Sequence, residues 1–245
     1  MKILKEIAGR IWALWGMVSF VATFLIIFLP SMVPYLIPDP KGQQLFIKIS
    51  KIWMTIWLYM VGCPLKVMGR ENFQKNTAYI VVCNHNSMLD IPVSCPFIPG
   101  ANKTIAKSSF MKIPLFGWFY NKGAVLVDRK NEISRRKSFD AMKKVLATGM
   151  HMSIYPEGTR NRTNEPLKKF HDGAFKLAES SGKEIIPAII FNTRKAMPIT
   201  KKFFFLPHRL QMHFLQPVQV NGKTSEQLRE ELFGIMKDYY LQHQH

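Results

Sequence analysis

The chain is poor in acids and in cysteine, and for one long stretch it carries no charge at all. Its 34 Lys+Arg face only 16 Asp+Glu, a formal net charge of +18 over 245 residues. That imbalance calls for an anionic partner: nucleic acid, a phospholipid surface or a phosphorylated substrate. Three cysteines, Cys63, Cys83 and Cys95, are an odd number without metal-ligand spacing, so neither a disulfide framework nor a metal site is expected. No Gly-x-Ser-x-Gly elbow occurs, which deprives a serine hydrolase of its nucleophile. Cys83 ends an apolar run and reads as a core residue rather than a nucleophile. Neither an internal repeat nor a nucleic-acid-binding motif is present, and no nucleic-acid partner is expected.

Residues 11–37 contain no charged side chain. The apolar run over 11–29, if helical, rises about 28 Å, close to the hydrocarbon thickness of a bilayer. It is longer than the core of a cleavable signal peptide, so retention is expected. Lys2, Lys5 and Arg10 precede it, which predicts a cytoplasmic N-terminus. A second apolar stretch, 45–63, carries Lys48, Lys51, Trp53, Trp57 and Tyr59. It reads as an interfacial or re-entrant helix, with lysines snorkelling and aromatics at headgroup depth. The competing reading is a core helix of the globular domain. Pro30, Pro34, Pro38 and Gly42 supply a turn between the two helices, giving a membrane-anchoring hairpin over 1–63.

Residues 64–245 change character. Short apolar runs at 79–83, 124–127, 152–155, 185–190 and 212–220 read as strands, several buried on both faces. Helical patterns separate them. Over 224–240, Leu228, Leu232, Ile235, Met236 and Tyr239 share one face, and Thr224 with Gln227 makes a capping-box start. The expected fold is therefore one α/β domain, a largely parallel mixed sheet flanked by helices.

Three strand ends carry polar residues, the place where such folds put their chemistry. After the first, Asn84-His85 is followed by Asp90. On one continuous helix these two side chains would stand about 140° apart, so they meet only if the chain turns between them. Ser87 as an N-cap, with Asp90 at the third helical position, supplies that turn. Asp90 would then take the proton of one imidazole nitrogen and leave the other free as a base. The plainer reading is a helix start beside a polar loop histidine. After the second strand, Tyr155-Pro156-Glu157-Gly158-Thr159-Arg160 presents a guanidinium suited to phosphate. The third, running from Gly123 to Val127, ends in Asp128-Arg129; a surface pair of those two is the plainer reading there.

In this order the stretches resemble the glycerolipid acyltransferase family, and within it the bacterial lysophosphatidate acyltransferases. Asn84-His85 with Asp90 matches the first block, Gly123 to Arg129 the second, Tyr155 to Arg160 the third and Ile186-Pro187-Ala188-Ile189 the fourth. Lys107 fits the stretch between the first two blocks. Two departures stand out: Tyr155 replaces the usual Phe, and His171-Asp172 stands where Lys is common before the glycine.

The resemblance implies transfer of a fatty acyl group from acyl-CoA or acyl carrier protein to the hydroxyl of a lysophospholipid, with no cofactor. His85 is implied as base, with Asp90 orienting it. Lys107, Arg129 and Arg160 would grip the acceptor phosphate, while Gly123, Gly158 and Thr159 belong to the substrate-binding blocks. Glu157 would order its turn or meet the glycerol. For the oxyanion, the backbone N–H groups after His85 are the expected donors. The implied setting is the cytoplasmic face of a bacterial inner membrane, against anionic phospholipid. Nine Lys/Arg lie between Asn102 and Lys137, which suits that surface. A related lyso-lipid, such as an ornithine lipid precursor, is the alternative acceptor, and a basic membrane-surface binding protein is the remoter alternative.

Overall fold

The uncharged N-terminal run forms one long helix, α1 (Lys2–Met32), the only helix among the described residues long and apolar enough to cross a membrane. A proline-containing 3₁₀ turn (Val33–Leu36) ends it, and α2 (Lys41–Met60) returns alongside. This computed structural model describes residues 2–128 and 130–244.

The tryptophans of α2 depart from the headgroup reading. Trp53 and Trp57 are buried, and their indole N–H groups donate to α1: Trp53 Nε1 to Thr23 Oγ1 at 2.9 Å, Trp57 Nε1 to Gly16 O at 3.2 Å. Phe20 packs on both rings, with centroids 4.9 and 5.2 Å away. A buried indole needs an acceptor, and α1 supplies it. Tyr59 alone of the three aromatics faces outward. Burying side chains such as Met54 and Leu58 stabilises this packing by about 1.5–3 kcal/mol each.

Seven strands follow: β1 (Leu65–Met68), β2 (Ile80–Cys83), β3 (Asn102–Lys107), β4 (Ala124–Val127), β5 (His151–Ile154), β6 (Ile185–Phe191) and β7 (Leu210–Phe214). They form one sheet in the order β1-β7-β6-β2-β5-β3-β4. The five strands from β6 to β4 run parallel, while β7 pairs antiparallel with β6 and carries β1 with it. Because successive strand residues point to opposite faces, β2 feeds two cores. Val81 and Cys83 join a cluster with α1, α2 and α3 (Asp90–Ser94), to which α4 (Phe116–Gly123) adds Phe116 and Phe119 and α7 (Thr193–Ala196) adds Ala196. Ile80 and Val82 join one with α5 (Glu132–Ala147), α6 (Gly173–Ser181) and α8 (Ser225–His243).

Four predicted strands lie within one residue of the observed ones, and the predicted capping box of α8 is present. The strand expected over 212–220 instead stops at Phe214, and Val218 returns to the sheet through a single bridge to Ile185. Pro217 has no N–H to give a ladder. Two strands, β1 and β3, went unread in the sequence. In β3 the buried positions are Asn102, Thr104 and Ala106, and this polar alternation hid a strand whose side chains bond inward, Thr104 Oγ1 to Ser153 O at 3.1 Å.

Candidate active site

Consecutive in the chain, β5 and β6 flank β2 on opposite sides, so the segments leaving both converge on the loop after β2. That loop is fixed at its root by Asn84. Its buried amide clasps β6, donating to Ile190 O (3.0 Å) and accepting from Ile190 N (2.7 Å).

The pair read from sequence is made: His85 Nδ1 lies 2.8 Å from Asp90 Oδ2. The turn that makes it differs from the one expected. The helix starts at Asp90 itself, with Leu89 before it and no side-chain cap. Asp90 Oδ2 instead reaches back and accepts from Asn86 N (2.6 Å) and Ser87 N (2.7 Å). Ser87 Oγ accepts from Leu89 N and donates to Met197 O. The acid ties its own loop into the turn.

Two consequences follow. An oxygen already accepting from two backbone amides faces Nδ1 as an acceptor, so the proton sits on Nδ1 and Nε2 carries the lone pair. No described residue bonds Nε2, and the ring is 14% exposed. The first two amides after His85, those of Asn86 and Ser87, both point at Asp90, so neither serves as the oxyanion donor expected from this loop.

From the β6 side, Thr193 Oγ1 donates to Asp90 Oδ1 at 2.5 Å. From the β5 side come three further contacts. Tyr155 packs its ring against the imidazole, centroids 4.4 Å apart, and shares a 2.5 Å hydrogen bond with Ser94 Oγ. Asn161 N donates to His85 O at 2.6 Å. Glu157, fully buried, accepts from His85 N (2.7 Å) through one oxygen and from Lys168 N (3.0 Å) through the other. Burial pushes the Glu157 carboxyl up to about 7, against the lowering effect of those two amides. Glu157 thus orders the turn, and its carboxylate faces the protein.

The other site candidates separate by strand end. Lys107 closes β3 at the same sheet edge as His85, exposed, two strands away from β2, roughly 10 Å at the usual strand spacing. Gly158 turns with φ +69°, the conformation glycine allows without strain. Thr159 accepts from Lys168 Nζ at 2.8 Å. Arg160 is half-buried and has no ion-pair partner among the described residues. Gly123 does not join the site. It precedes β4, at the opposite end of the strand from this edge, where a Cβ would press Phe46 at 3.1 Å, so its smallness serves packing against α2. Arg129 lies outside the described residues. His171 N bonds Pro156 O, which ties this segment to the turn carrying Glu157, and Asp172 pairs with Arg229 of α8 at 2.5 Å.

Sequence reasoning missed Thr193, Asn161 and Lys168. Thr193 carried a readable signal, a polar residue just past an apolar strand, the criterion that found His85.

The acyltransferase family profile matches residues 64–191, just over half of the chain. The chain is 29% identical over 202 residues to a 1-acyl-sn-glycerol-3-phosphate acyltransferase of Saccharomyces cerevisiae, covering 77% of this chain and 65% of the yeast protein. It is 31% identical to the chloroplastic LPAT1 acyltransferase of Arabidopsis thaliana (72% and 50%) and 28% identical to the Borreliella burgdorferi enzyme of the same activity (76% and 73%). The chain thus spans between half and three quarters of these relatives' lengths. The crystal structure of the 1-acyl-sn-glycerophosphate (LPA) acyltransferase of Thermotoga maritima superposes with a TM-score of 0.79 at 22% identity, covering 99% of this chain and 97% of that one, and so shares its fold. The match over 64–191 takes in all four motifs read from the sequence, and the chain belongs to the acyltransferase family.

Proposed function

We propose that the protein moves a fatty acyl group from an acyl thioester to the sn-2 hydroxyl of 1-acyl-glycerol-3-phosphate, giving phosphatidate. The observation that carries this reading is the His85–Asp90 pair, set with Nδ1 on the acid and Nε2 unbonded at the carboxyl edge of the sheet. Nε2 takes the acceptor's hydroxyl proton as its oxygen attacks the thioester carbonyl. The C–S bond then breaks, and the proton passes to the departing thiolate. Asp90 stabilises the imidazolium between these steps. The names of the yeast, plant and bacterial relatives support the acceptor.

Arg160 and Lys107, with Arg129, hold the acceptor phosphate and so position the hydroxyl. The reaction needs no cofactor beyond the donor thioester. The outer face of α1, including Ile3, Ile7, Ile11, Leu25 and Leu29, lies in lipid, with residues 1–63 as anchor and the α/β domain on the cytoplasmic surface of a bacterial inner membrane. Lys5 and Arg10 at its start and the basic surplus support that orientation. An acceptor with one acyl tail stays in the bilayer, so the site must work there.

The test is acyl transfer by the detergent-solubilised protein from labelled acyl-CoA and acyl carrier protein to lysophosphatidate, beside other lyso-lipids. His85→Ala is expected to lower turnover by about 10²–10⁴-fold with an unchanged melting temperature. Near-normal turnover would remove His85 as base, and acylation of another lyso-lipid alone would replace the acceptor.

A further inference from the structure

The stretch 160–166, which begins at Arg160 beyond the end of β5, contains no helix or strand. Glu157, bonded to Lys168 N, holds its two roots together, and between them it is tied down in two ways. The first is local. Asn161, fully buried, accepts from Thr163 N (2.9 Å) and Thr163 Oγ1 (2.7 Å) through Oδ1 and donates through Nδ2 to Glu165 O (2.8 Å). An asparagine that bonds the backbone following it in this way closes a turn. The second comes from α7. Arg194 Nη1 donates to Thr163 O at 2.8 Å, across 31 positions of sequence. Among the described residues this is the only hydrogen bond that another element makes to residues 162–166. Residues 162–165 are exposed, so burial does not fix them.

Thr193 and Arg194 are consecutive, yet they reach opposite halves of the site: Thr193 Oγ1 bonds Asp90 Oδ1, and Arg194 bonds the loop of Arg160. Met197, just past the end of the same short helix, accepts from Ser87 Oγ of the His85 loop. The first amide after Arg160, that of Asn161, donates to His85 O at 2.6 Å. One short element therefore holds the acid–base loop and the cationic loop at once.

We propose that Arg194 is a positioning residue for acyl transfer: it straps the 160–166 loop to α7 and so sets the reach between the Arg160 guanidinium and His85 Nε2. This rests on the reading above, in which Arg160 holds the acceptor phosphate and His85 takes the hydroxyl proton. Phosphate and reacting hydroxyl belong to one molecule, so the distance from cation to base must match the distance between those two groups. A loop without regular structure, exposed at four successive residues, does not keep such a distance by itself. A guanidinium bonded to a main-chain carbonyl constrains the backbone and leaves the Thr163 side chain to the Asn161 turn. Arg194 acts through Arg160 and touches no reacting atom.

Initial rates are measured with the full-length, detergent-solubilised protein, an acyl thioester and lysophosphatidate. Arg194→Met keeps the apolar stem and removes the donor. With the freed loop in register about a tenth of the time, the KM for lysophosphatidate rises about tenfold, with kcat within a few-fold and an unchanged melting temperature. Arg194→Lys still offers an N–H to the carbonyl and should recover most of that loss. Trypsin should cut after Arg162 faster in Arg194→Met than in wild type, because cleavage follows the population of the open loop. Arg160→Ala supplies the comparison. A residue acting through Arg160 adds nothing to the KM of Arg160→Ala, whereas one that merely supports the fold adds its penalty again. Additive penalties, a KM that Arg194→Met leaves unchanged, or equal cleavage after Arg162 overturns the proposal, and transfer by wild type then keeps the function standing. Absence of transfer to lysophosphatidate by wild type removes the function and this inference together.

Discussion

Asp90 and Arg160 lie just past the ends of two neighbouring strands, yet the fold treats their charges differently. Asp90 is fully buried and accepts from His85, Asn86, Ser87 and Thr193. Arg160 is half-buried and meets no acid among the described residues, and Lys107 stands exposed at its strand end. One half of the site is over-determined before any substrate arrives, as acid–base geometry requires. On the proposed function the other half keeps its cations for the acceptor's phosphate, because an ion pair made within the protein would have to be broken on binding.

The comparison breaks first at Asp90. Asp90→Asn turns an NH₂ group toward donors or presents a neutral amide to Nδ1, so the imidazole loses its tautomer control. Turnover should fall by about 10²–10⁴-fold, with stability falling too as buried amides lose their acceptor. Initial rates beside a thermal melt check both, and a variant keeping more than a tenth of the wild-type rate would deny the orienting role.

Arg160→Ala tests the open half. The loss of one charge-assisted contact to phosphate is worth about 1.5–3 kcal/mol, so KM for lysophosphatidate should rise roughly 10–100-fold, with kcat within a few-fold and no change in melting temperature. A fall in kcat at constant KM would place Arg160 with the acid–base half instead.

Thr193 sharpens the over-determined side. Thr193→Val leaves Asp90 Oδ1 buried without its hydroxyl, at a cost of about 1–3 kcal/mol, whereas Thr193→Ser restores the donor. Turnover by the valine variant should fall as the acid loses a partner that holds it in place, and the serine variant should match wild type. If serine fails to rescue, the methyl rather than the hydroxyl is what matters.

This asymmetry also decided what could be read beforehand. The four motifs, the parallel core strands and the cap of α8 are local patterns, legible because period and turn chemistry lie within a few residues. The His85–Asp90 pairing was legible as a pair, but its mechanism was not. The loop is shaped by a carboxylate accepting from amides upstream of it, where a serine cap was expected. Glu157, Thr193 and Asn161 reach His85 and Asp90 from segments about 70 to 110 residues distant in sequence, and spacing within a motif carries no trace of them. Trp53 and Trp57 failed for a similar reason: an indole looks alike at a headgroup and in a helix pair until its acceptor, Thr23 or Gly16, is known.

Glu157 joins the two regions, since its carboxylate clamps the His85 loop to the loop that carries Arg160. Burial lifts its folded-state pKa to about 7 from the ordinary 4.5, so the folded chain holds this proton more tightly than the unfolded chain does. Its contribution to stability is therefore complete below about pH 4.5 and is lost as pH rises through about 7. Glu157→Gln cannot titrate, and it turns one acceptor into a donor facing Lys168 N, so at pH 5 it should be the less stable protein. Between pH 5 and pH 8 the wild-type melting temperature should descend toward that of the variant, since every other titrating group is common to both chains. Parallel curves across that window would show that Glu157 is charged in the folded protein throughout, its two backbone amides outweighing its burial.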